Sequence, residues 1–253
     1  MRETALKLAA LRARLERPGG AETAPPAPLG HALADHCLKG GLRPGTLHEV
    51  YAAAPGHEAS ATGFALALAR LVAQRKWFFW VRQDFAALED GEPYGMGLFE
   101  FGIDPSRLLI ARVPDAASVL RAAGEGLATE SLGAIVIEPW GESKLFDLAT
   151  SRRLVLAAAR TRVTAILLRA GAVPAPSAAE TRWLVRAGKS HPHNEDWGTP
   201  VFDASLVRNR HGTTGQWVME WTDDGFREPA HSRRVAAVPA DGPAHAARAA
   251  SGY

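Results

Sequence analysis

The segment PGHEASATG at 55–63 is where this sequence could hold a phosphate. An apolar run, HEVYAAA at 48–54, leads into it and a helical pattern, FALALARLVAQ at 64–74, leads out. A loop that works on a nucleoside triphosphate needs glycines for close backbone approach, a lysine on the β- and γ-phosphates and a Ser or Thr hydroxyl on Mg²⁺. Gly56 matches the first glycine, but Ala61, Thr62 and Gly63 stand where Gly, Lys and Ser/Thr are required. What remains is backbone N–H at a helix N-terminus, which attracts an anion in any protein, and the segment reads as a plain strand-to-helix turn. Glu138 closes the run AIVIE in the place of a metal-holding carboxylate. Without the lysine and the hydroxyl it has no metal to hold, and it reads as a vestige. The expectation is a protein with no catalytic residues and no cofactor.

Other residues offer chemistry at first sight. HPHNEDW at 191–197 gathers His191, His193, Glu195 and Asp196, but a loop holding Pro and Asn, with no second ligand cluster on a rigid element, predicts no metal. Arg208, Arg210 and His211 precede Gly212 and Gly215 in RNRHGTTGQ. They are candidate DNA-phosphate contacts, or simply the polar tip of a hairpin whose glycines supply positive φ. Trp77, Trp80, Trp183, Trp217 and Trp221 could stack bases, yet all fall at strand positions, where burial is expected. Cys37 reads as a packed small hydrophobe, and no G-x-S-x-G elbow frames a serine.

The elements that would position these residues follow from periodicity. Apolar runs at 48–54, 77–81, 108–111, 134–137 and 165–168 alternate with helical stretches at 64–74, 116–128 and 146–160, the pattern of a parallel sheet covered on both faces. Period-2 segments around Trp183, Phe202–Leu206 and Trp217–Trp221 predict antiparallel strands at about 180–187, 201–210 and 216–222, extending that sheet. Leu8, Leu11 and Leu15 make a helical stripe at 3–16. Residues 1–17 are thus expected as a tethered helix, 18–29 as a Pro/Ala-rich linker, 30–222 as the core and 223–253 as a disordered tail. In the tail Arg227, Arg233, Arg234 and Arg248 are candidate partner contacts.

The 253 residues carry 29 Lys+Arg against 27 Asp+Glu, too even a balance to announce a nucleic-acid binder. The single cysteine suits a reducing compartment. No secretory start and no membrane-length apolar run is present, so a cytoplasmic protein with no membrane partner is expected.

ALADHCLKGGLRPGTLHEVYA at 32–52 resembles the segment that enters the ATP site of RecA recombinases, and FGIDPSRLLIARVPDAASVLRAAGEGLATESLGAIVIE at 101–138 is similar to their stretch from the third strand to the Walker-B acid. By that overlay Asp84 falls near the recombinase's water-activating glutamate. The loops after Glu138 and after AILL are short, where recombinases hold DNA. AAETRWLVRA at 178–187 and LVRNRHGTTGQWVMEW at 206–221 resemble the C-terminal signature of the inducible mutagenesis protein A family, RecA-like and SulA-related. The resemblance implies an α/β, RecA-like, mostly parallel sheet with flanking helices and C-terminal antiparallel strands. It also implies a non-enzymatic accessory role in SOS-induced translesion synthesis. The partners implied are a Y-family-like mutagenesis protein, an error-prone DnaE-type polymerase assembly, RecA and weakly bound DNA. A divergent RecA-type DNA-dependent ATPase and a SulA-like cell-division inhibitor are the alternatives.

Overall fold

The computed structural model describes residues 24–190, 198–222 and 224–229; the helix expected at 3–16 and the candidate ligands at 191–197 lie outside these. Nine strands form one sheet in the order β3-β2-β4-β5-β1-β6-β7-β8-β9. β1 (Leu47–Ala52), β2 (Trp77–Gln83), β3 (Leu108–Val113), β4 (Leu132–Glu138), β5 (Thr164–Arg169) and β6 (Thr181–Ala187) run parallel. β7 (Val201–Asn209), β8 (Gly215–Thr222) and β9 (Gly225–Arg227) add antiparallel strands at one edge. The expected mostly parallel sheet with an antiparallel extension is therefore the observed one.

The parallel strands are buried on both faces, and their side chains alternate between two cores. In β4, Ala134 and Val136 enter one cluster while Ile135 and Ile137 enter the other, as a period of two requires. The first core holds α2 (Glu58–Ala73). The second lies under α5 (Ala116–Leu127) and α6 (Leu148–Thr161). α2 is rich in alanine because the sheet comes close: a Cβ on Gly133 of β4 would lie 2.6 Å from the Ala73 Cα. The antiparallel strands close over α2, where the Phe64 ring packs on Trp183, Phe202 and Phe226 at 5.3, 5.7 and 5.1 Å.

Three boundaries differ from the sequence expectations. Residues 27–29, assigned to the linker, are part of the core: Ala27 and Leu42 exchange backbone hydrogen bonds of 2.8 and 2.7 Å, and Ala27 and Leu29 are buried. Prolines exclude a long element here, but one bridge and one buried leucine suffice to seat the chain. The expected tail begins too early as well, since β9 pairs with β8 and Phe226 is buried. Finally, Gly212 and Gly215 do not supply positive φ to the β7–β8 turn. They are small because of close approach: a Cβ on Gly212 would lie 2.0 Å from the Cys37 carbonyl oxygen, and one on Gly215 would lie 2.4 Å from the Trp217 ring.

Candidate functional site

In a parallel α/β sheet the carboxyl ends of the strands carry the ligand crevice. The loop leaving β1 enters α2 at Glu58, with His57 as N-cap. Ala61, Thr62 and Gly63 therefore lie inside the helix; Ala61 is buried, and a Cβ on Gly63 would touch the Phe202 ring at 3.4 Å. This corrects the overlay of the sequence reading. The residue heading the helix, where a phosphate-binding lysine would act, is Glu58 rather than Thr62. The Gly56 N–H, at φ +89, donates to Glu58 Oε2 at 2.8 Å, and the Ala187 N–H donates to His57 Nδ1 at 3.2 Å. A carboxylate at a helix N-terminus is favourable for the helix, and here it takes the N–H that an incoming anion would use. Its charge also opposes a phosphate.

Glu138 is equally committed. It is buried, and its Oε2 accepts from Trp80 Nε1 at 2.8 Å and from Arg82 Nε at 2.6 Å. The Arg82 guanidinium stacks 4.6 Å from the Trp80 ring centroid, and its NH1 donates to the Gly91 carbonyl at 2.9 Å. Burial pushes the Glu138 carboxyl above its ordinary range, while the bonds from Arg82 and Trp80 pull it back. A carboxylate held this way serves the protein's own arginine. Sequence reasoning missed Arg82, although a charged residue ending the apolar run WFFWVRQ requires a buried partner, and Glu138 was at hand. Asp84 begins α3 (Asp84–Asp90) and is ion-paired with Arg112 at 3.2 Å.

A groove of about 640 Å³ lies between the start of α2, β2 and the segment joining α3 to α4 (Gly95–Glu100). It contains Gly56, Thr62 and Gly63, but its charged lining is Glu58, Asp90, Glu92 and the buried Arg82. Asp90 is held above the ordinary carboxylate range, first by burial and then by Glu58 and Glu89, with Arg82 pulling the other way. Beside the groove α3 exposes Phe85 and Leu88, and Tyr94 with Met96 and Phe99 of α4 is exposed next to them. Arg112 bonds both Asp84 and Glu92 at its flank.

The remaining candidates do not converge on this site. Arg210 and His211 sit at the other end of the sheet, where the Arg210 N–H donates to the Glu180 carbonyl and His211 Nε2 lies 3.4 Å from Glu180 Oε1. Arg208 faces Arg182 across the β6–β7 ladder. Arg227 is in β9, and Arg233, Arg234 and Arg248 lie outside the described residues. Of the tryptophans, Trp80, Trp183 and Trp221 are buried and Trp217 is half-buried, whereas Trp77, expected inside, is 43% exposed at the first position of β2. Cys37 is half-buried. No helix among the described residues is long and apolar enough to cross a membrane.

No family model matches the chain. It is similar to Protein ImuA of two strains of Caulobacter vibrioides, 29% identical over 213 residues, covering 78% of this chain and 83% of the relative. Among solved structures it is similar to the RadB recombinase, with a TM-score of 0.55 and 18% identity over 80% of this chain and 99% of that one. The structural likeness shows a RecA-like fold. The similarity to ImuA supports the family resemblance that the motifs carry.

Proposed function

We propose that this chain is a cytoplasmic accessory protein of DNA-damage-induced mutagenesis that uses its RecA-like body as a binding platform and not as an ATPase. The observation that carries the reading is the charge at the former phosphate site. Glu58 heads α2 and consumes the Gly56 N–H, and Arg82 consumes Glu138. Phosphoryl transfer depends on positive charge aimed at the transferring group and on a metal held by free oxygens. Neither is provided by these residues. The role in translesion synthesis, and the partners, a Y-family-like mutagenesis protein with an error-prone DnaE-type polymerase assembly, rest on the similarity to ImuA. Contacts to RecA and weakly to DNA belong to the same reading.

Purified full-length protein, incubated with Mg·ATP with and without single-stranded DNA, is expected to show no turnover above background. Turnover that disappears in a folded Glu138→Gln variant would overturn the non-enzymatic reading. Immobilised protein is expected to retain the Y-family-like partner from a purified mixture, and no retention would remove the platform role.

A further inference from the structure

Five aromatic and aliphatic side chains stand out of α3 and α4, Phe85 and Leu88 on one helix and Tyr94, Met96 and Phe99 along the next, with Leu88 and Tyr94 72% and 74% exposed. Such a cluster on the surface marks an interaction site. Its charge has one sign: from 84 to 100 the sequence holds Asp84, Glu89, Asp90, Glu92 and Glu100, and no Lys or Arg. Arg82, bonded to the Gly91 carbonyl, and Arg112, bonded to Asp84 and Glu92, fix the segment from beneath and from the side. The surface is therefore presented on a braced scaffold, with the groove's carboxylates Glu58, Asp90 and Glu92 behind it.

The occupant this surface fits is a helix with an apolar stripe bordered by basic residues. Residues 1–17 of this chain have that composition: Arg2, Lys7, Arg12, Arg14 and Arg17 against Glu3 and Glu16. Wound as a helix, the segment puts Leu8, Leu11 and Leu15 on one stripe, with Lys7 and Arg14 to one side and Arg12 to the other. We propose that residues 1–17 dock on the α3–α4 surface, leucines against Phe85, Leu88 and Phe99 and the flanking cations against the acidic rim. The inference stands apart from the accessory reading, since it concerns the chain's own contacts. Its consequence is that an external partner seeking this surface must first displace a basic, leucine-striped helix.

The test uses full-length protein with Leu88, or in a second preparation Phe99, replaced by p-benzoylphenylalanine, and with Leu156 on the outer face of α6 as the control position. After irradiation, peptide mapping is expected to join positions 88 and 99, but not 156, to residues 1–17. The variant Glu89→Lys with Glu92→Lys is expected to lower that yield about fivefold, as the loss of a few exposed ion pairs would. Adding Arg12→Glu with Arg14→Glu is expected to restore it, which a misfolded chain would not do. Cross-links from 88 and 99 to the folded core of a second copy would assign the surface to self-association and overturn the proposal. So would an absence of cross-links to 1–17, or a yield that ignores the charge reversal.

Discussion

His48 illustrates how a single side chain in this protein is fixed by its neighbours. It is buried in β1, its Nε2 lies 2.8 Å from the Arg43 carbonyl oxygen and its Nδ1 2.8 Å from Thr181 Oγ1. A carbonyl can only accept, so Nε2 carries the proton and Nδ1 accepts from the Thr181 hydroxyl. That hydroxyl oxygen in turn accepts from Trp183 Nε1 at 3.1 Å. The chain of donors runs one way and has no place for a second proton. Burial accordingly lowers the His48 pKa to about 4. Because the folded value lies below the unfolded one, His48 contributes stability that is complete above about pH 6.5 and is lost as pH falls through 4. Urea unfolding is expected to show full-length protein losing about 3 kcal/mol more than a His48→Gln variant between pH 7 and pH 4. Parallel curves for the two would refute the neutral buried imidazole. Glu138 behaves with the opposite sign: its raised pKa favours the folded state most at low pH, and that contribution is lost as pH rises.

At the scale of elements, glycines show how closely the layers approach. Gly133 of β4 faces Ala73 of α2, and an added methyl would stand 2.9 Å from the Ala73 carbonyl oxygen as well as against its Cα. Backbone cannot swing aside as a side chain can. Gly133→Ala is expected to cost about 2–3 kcal/mol, measured by chemical denaturation. Gly124 in α5 has nothing within 4 Å of its would-be Cβ, so Gly124→Ala is expected to stabilise by about 1 kcal/mol through helix propensity alone. Equal effects of the two would mean that α2 and β4 are less tightly packed than described. The same closeness, rather than turn geometry, is what Gly212 and Gly215 serve in the β7–β8 hairpin.

Across the whole molecule, the antiparallel edge makes α2 an interior helix. Trp221 stacks on Phe101 at 5.2 Å and meets Phe226 at 4.9 Å, and its Nε1 donates to the Phe101 carbonyl at 3.0 Å. The Phe226 N–H donates to the Leu29 carbonyl at 2.7 Å. The far edge of the sheet, the end of α4 and the entry of the chain are thereby tied together. Phe226→Ala is expected to destabilise the protein by about 3–5 kcal/mol and to weaken the near-ultraviolet dichroism of Trp221. A variant as stable as the parent would show β9 to be a dispensable appendage, as composition alone suggested.

The sequence by itself determined the layered fold, because runs such as AIVI and AILL can be satisfied only inside a sheet covered on both faces, and alternation around Trp183 and Trp217 only at a half-covered edge. It also showed that no lysine follows β1. Which residue heads α2, and what Glu138 does, were decided by the tertiary structure. The helix start depends on where the β1 loop can turn. Side chains distant in sequence, Arg82 and Glu138, meet only when β2 and β4 pair in register. Composition likewise could not tell residues 27–29 and 225–227 from their polar, Pro- and Ala-rich surroundings. Each is held by a single buried side chain, Leu29 and Phe226, whose burial arises from contacts that no local pattern encodes.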